Sequence, residues 1–167
     1  MSESERNEAR FPCHIYEIAD AVEAYASFRG ELIKEYGDNV TLSDGTVLHW
    51  NYMWDDGSRY LVRCKKCGGL LIMQSSEYHS FSDSPDGYYK DWIPAASVKE
   101  ADLLNILLGA MEMESVPCRH IRRNNDDVFW TEGKEPEAYD PDELAQAIKK
   151  TYPDANPELL DHLMRDV

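Results

Sequence analysis

The sequence predicts an α+β fold in which a small antiparallel sheet with a zinc-knuckle-like hairpin packs against an N-terminal helix and C-terminal helices. Three observations carry that expectation. Short extended runs bounded by Gly and Asp fill the middle of the chain, stretches with helical spacing and cap signals flank them, and the segment RCKKCGG at 63–69 sets Cys64 and Cys67 two residues apart between two such runs. At 167 residues with 43% hydrophobic content, one continuous core is the expected organisation. Residues 1–10 are polar and read as a flexible leader, and residues 11–167 as a single α+β domain.

From Ile15 to Tyr36 the apolar positions Ile15, Ile18, Ala19, Val22, Tyr25, Ala26, Phe28, Ile33 and Tyr36 recur at spacings of three and four, which predicts a helix. Gly30 costs that helix about 1 kcal/mol relative to alanine and marks a place for a break. Thr46 to Met53 and Ser58 to Arg63 read as strands, and the Asp56-Gly57 step between them predicts a hairpin. Leu70 to Gln74 is a third strand, which leaves Cys64 to Gly69 as a turn. Ser82 to Asp86 is rich in turn formers, and Tyr88 to Pro94 reads as a further strand stopped by proline.

Ser97 with Glu100 three residues on forms a capping box, and Leu103, Leu104, Leu107 and Leu108 supply the buried stripe of the helix that follows. Ile121 to Trp130 predicts a strand interrupted or reversed at Asn124-Asn125-Asp126. Asp140-Pro141 with Glu143 opens another helix, and Asn156-Pro157 opens a last one reaching about Arg165.

The formal charge is −15, from 32 acids and 17 bases. Residues 1–44 hold 10 acids and 4 bases, residues 45–95 hold 6 and 5, and residues 96–167 hold 16 and 8, so the cysteine segment is nearly neutral between two acidic flanks. Such a field repels a phosphate backbone, which argues against nucleic acid as a partner despite the small cluster Arg63, Lys65 and Lys66. Apolar runs long enough to span a membrane are missing from the sequence, and the polar start does not read as a signal peptide; a cytoplasmic protein is expected, with its four cysteines serving as thiols or metal ligands.

Cys64 and Cys67 on a tight turn can both face one ion, and Gly68 and Gly69 leave room for backbone to approach the sulfurs. Two competing readings are a redox dithiol, which would favour a helix N-terminus after the first cysteine, and a knuckle turn that persists without metal. Structural zinc needs four ligands, so two more must come from Cys13, His14, His49, His79, Cys118, His120 or His162. The expected set is Cys64, Cys67, Cys118 and His120, one zinc per chain, because C-x-H on an extended segment points both side chains to one side. Cys13 with His14 is the weaker pair on the same reasoning, since neighbours on a strand point oppositely.

The polar run Ser75 to Ser80, with His79 near serines, reads as a solvated loop; a triad is defined by geometry and not by proximity in sequence. Phosphate-binding, nucleophile-elbow and zinc-protease motifs are missing from the sequence. Trp50, Tyr52 and Trp54 share one face of a predicted strand and serve either as core or as a recognition surface. These features together suggest a small acidic cytoplasmic binding or inhibitory protein that acts through protein–protein contact on a basic partner surface. A zinc- or thiol-dependent enzyme is the alternative.

Overall fold

The computed structural model describes residues 10–37, 39–41, 47–49, 57–78, 87–108, 118–153 and 157–164. A 3-10 turn, His14–Glu17, leads into helix α1, Ala21–Ser27. Strands β1 (Gly30–Tyr36), β2 (Asn39–Thr41), β3 (Val47–His49), β4 (Gly57–Cys64), β5 (Leu70–Tyr78) and β6 (Gly87–Ala95) follow. Then come α2 (Val98–Leu108), β7 (Ile121–Asn124), β8 (Asp127–Trp130), α3 (Pro141–Thr151) and α4 (Pro157–Met164). Six strands form one antiparallel sheet in the order β1-β4-β5-β6-β7-β8, and β2 and β3 pair separately.

Strand alternation divides the core between the two faces of this sheet. Leu61, Leu70, Ile72 and Ile93 pack with Leu103, Ile106, Ile148 and Leu160 of the later helices. Val62, Leu71, Trp92 and Ile121 on the other face pack with Cys13, Ile15 and Ala24 of the N-terminal segment. The α+β architecture, with helices from both ends of the chain on a central antiparallel sheet, is therefore as the sequence predicts. The β4–β5 hairpin also carries the knuckle-like turn at Cys64–Gly69. None of the helices among the described residues is long and apolar enough to cross a membrane.

The single long helix expected over 15–36 is replaced by a 3-10 turn, a short helix and a strand. Asp20 caps α1 by accepting from Val22 N–H at 2.8 Å and Glu23 N–H at 3.1 Å, so helical structure starts there. It stops at Phe28, whose backbone is extended, and from Gly30 onward pairing with β4 satisfies the backbone instead. The expected hairpin between 46–53 and 58–63 also changes partners: β3 pairs with β2, and β4 pairs with β1 and β5. The run 75–78 belongs to β5, paired through Tyr78 with Gly87 of β6, rather than to a loop.

Several other expectations match. Ser97 caps α2 as expected, its Oγ accepting from Glu100 N–H at 3.1 Å, but the return half of the box is redirected: the Glu100 carboxylate takes Ala96 N–H and Tyr139 N–H at 2.5 Å each, tying the α2 entry to the 131–140 loop. Asp140 caps α3 through Asp142 N–H at 2.8 Å. Asn125, with φ 53°, reverses the chain between β7 and β8. Residues 1–9 of the predicted 1–10 leader, the turn at 82–86, the Asn156 cap, His79, and the aromatics Trp50, Tyr52 and Trp54 lie outside the described residues.

Candidate metal centre

The β4–β5 turn is built by three backbone hydrogen bonds: Cys64 N–H to Gly69 O, Gly68 N–H to Cys64 O, and Lys65 N–H to Arg29 O, each 2.8 Å. Gly68 has φ 80°, the left-handed region that glycine enters without a Cβ penalty. Gly69 serves a different purpose. A Cβ placed on it would lie 2.7 Å from both Cα and Cβ of Cys13, so the missing side chain is what lets the N-terminal segment rest against the knuckle.

Four ligand atoms meet at that contact. Cys13 Sγ, His14 Nδ1, Cys64 Sγ and Cys67 Sγ all lie within 4.8 Å of one another. Cys67 Sγ is 3.4 Å from Cys13 Sγ and 3.2 Å from His14 Nδ1, and that nitrogen is 3.6 Å from Cys13 Sγ and 3.8 Å from Cys64 Sγ. Tetrahedral zinc with ordinary bond lengths requires edges of about 3.8 Å between sulfurs and about 3.6 Å between sulfur and nitrogen. The cluster is at that scale, and its donors are the thiolate and imidazole types that zinc prefers.

The surroundings favour coordination. His14 Nε2 is 2.6 Å from Ser27 Oγ, a partner that fixes the ring and, with the proton on Nε2, leaves Nδ1 free to bind a metal. His14 N–H and Gly69 N–H both donate to Cys67 Sγ at 3.4 Å. Burial raises the Cys64 thiol, but backbone hydrogen bonds from Arg29, Lys66 and Cys67 outweigh it and bring the group below its ordinary value. Burial pushes the Cys13 thiol strongly upward, so in the metal-free state this sulfur holds its proton. Cys13 and Cys64 are buried, whereas His14 and Cys67 are half-buried at the rim.

Cys64 and Cys67, expected as ligands, are in this cluster; Cys118 and His120 are not. His120 is fully buried with both ring nitrogens engaged, Nδ1 to Cys118 O and Nε2 to Asp91 Oδ1, each at 2.9 Å. Asp91 also receives Arg122 Nη1 at 3.2 and 3.3 Å. Cys118 Sγ donates to Arg119 O at 3.2 Å, and burial followed by the nearby Glu135 charge raises its thiol to about 11. The C-x-H pair precedes β7 instead of lying within it, so strand alternation does not align the two side chains.

Cys13 and His14 take the remaining places because they are not on a strand. The 3-10 turn beginning at His14 swings the imidazole to the same side as the preceding sulfur, which extended backbone would not do. Further contacts dock this segment: Tyr16 Oη donates to Arg119 O at 2.9 Å, and Trp130 Nε1 donates to Ile18 O at 3.2 Å. The sequence signal for the pair was Cys-His directly ahead of a helical pattern. Side-chain positions for His49 and His162 are not among those described.

Comparison with family models, with curated proteins and with solved structures finds no match for this chain.

Proposed function

We propose that this protein is a small acidic binding or inhibitory protein of the cytoplasm, stabilised by one structural zinc ion, that acts by covering a basic surface of a partner protein. The observation supporting the zinc is the convergence of Cys13, His14, Cys64 and Cys67 at tetrahedral spacing. Four protein ligands complete a structural site, whereas catalytic zinc keeps a position open for water. In this site the ion would cross-link the N-terminal segment to the β4–β5 hairpin, and its binding energy would be folding energy.

The charge of −15 supports the choice of partner. Complementary charge accelerates encounter and makes capture depend on salt. The immobilised protein, loaded with zinc, is expected to retain Lys- and Arg-rich proteins from a cell extract at low salt and to release them as salt rises. Retention of no basic protein at low salt contradicts this reading.

A further inference from the structure

Between helix α2 and the loop that leads into α3 lies a cavity of about 510 Å³. Its floor is apolar, made by Ile93 and Pro94 at the end of β6 and by Leu104, Leu107 and Leu108 of α2. It sits on the sheet face that carries the later helices, opposite the face that packs against Cys13 and Cys64. Residues 134–139 form the facing wall, and both ends of that wall are fixed. Arg119 N–H donates to Lys134 O at 2.7 Å, and Tyr139 N–H donates to the buried Glu100 carboxylate at 2.5 Å. Pro136 stiffens the span between them. The cavity is therefore formed before anything enters it, and its volume and apolar floor are those of a small-molecule site.

The charge on the wall is one-sided. Glu135, Glu137 and Glu143 line the cavity together with one lining cation, Lys134. Glu135 holds Arg119 at 2.6 and 3.1 Å, whereas Glu137 and Glu143 are exposed and have neither a hydrogen bond nor an ion pair among the described residues. Lys134 offsets one of these two charges and leaves the other. The chain around the mouth has the same sign, since residues 132–143 hold six acids and one base. An apolar interior rimmed by carboxylates repels an anion and attracts a cation whose head stays in water while its body is buried.

We propose that this cavity binds a small molecule made of an apolar body and one amine, with the body against Leu104, Leu107 and Leu108 and the ammonium beside Glu137 and Glu143. Burial of the body supplies the affinity, and the carboxylates select the charge. The site goes beyond the proposed contact with a basic protein and does not depend on it.

The probes are naphthylpropylamine and its two isosteres, in which a hydroxyl or a carboxylate replaces the amine. Each is titrated into the zinc-loaded full chain and followed by NMR of backbone amides and side-chain methyl groups. The expected results are saturable binding of the amine, shifts concentrated at Leu104, Leu107, Leu108 and Ala138, and affinity falling from amine to alcohol to carboxylate. The preference for the amine should shrink as salt rises. The double variant Glu137→Gln/Glu143→Gln, which alters exposed side chains, is expected to weaken the amine at least about fivefold and to leave the alcohol unchanged. The proposal is overturned by absence of binding, as for a cavity that the chain itself fills in solution, by an alcohol that binds as tightly as the amine, or by shifts centred elsewhere on the protein. A double variant that binds the amine as wild type does, or that weakens amine and alcohol alike, overturns it as well.

Discussion

Gly69 and Cys13 are in backbone contact: a methyl group on Gly69 would sit 2.7 Å from Cα and Cβ of Cys13 and 3.2 Å from Arg10 O. Because the obstacle is backbone and a tethered Cβ, it cannot swing aside as a long side chain would. Gly69→Ala is expected to push the N-terminal segment off the knuckle, destabilising the protein by about 1–3 kcal/mol and weakening metal binding at the same time. Denaturant midpoints and zinc affinity measured together test this; an unchanged affinity would separate the contact from the site.

Ser27 holds the imidazole of His14 from behind, at 2.6 Å. Ser27→Ala is expected to retain the ion with about 10–100-fold lower affinity, since the ring loses its orienting partner. Chelator competition measures this, and an affinity equal to wild type would show that Ser27 does not position the ligand.

Glu100 is buried against two backbone N–H donors. Glu100→Gln turns an amide NH2 toward one of them and is expected to cost about 1–3 kcal/mol. Burial raises the Glu100 carboxyl above its ordinary value, with the Ala96 and Tyr139 amides opposing the rise. The folded state thus binds this proton more tightly than the unfolded state. The contribution is favourable below the ordinary carboxylate value and is lost as pH rises through the raised one. Wild type should therefore gain relative to Glu100→Gln toward acid, as read from melts across that range.

Asp91 is shared by His120 and Arg122 in a buried network. Asp91→Ala removes the buried carboxylate that both Arg122 and His120 contact and is expected to cost about 3–5 kcal/mol without releasing metal. Unfolding curves and metal content together check it; loss of zinc from a folded Asp91→Ala protein would tie this network to the metal site.

The expectations that held were those set by neighbouring residues. Cys64, Cys67 and the two glycines define their turn within six positions, Ser97 and Asp140 mark helix starts through their own side chains, and Asn125 reverses the chain at one residue. The expectations that changed depended on distant partners. Residues 30–36 have helical spacing, yet pairing with 59–64 outweighs that local preference. Cys13 and His14 reach Cys67 across more than fifty positions, and a pattern argument that assumed extended backbone there pointed toward Cys118 and His120 instead.

The most direct test of the central claim is the zinc content of wild type, Cys13→Ser and Cys118→Ser, each purified without added metal. The expected result is about one zinc per chain in wild type and in Cys118→Ser, with Cys13→Ser depleted. A metal-free wild-type protein, or zinc kept by Cys13→Ser and lost from Cys118→Ser, would contradict the account.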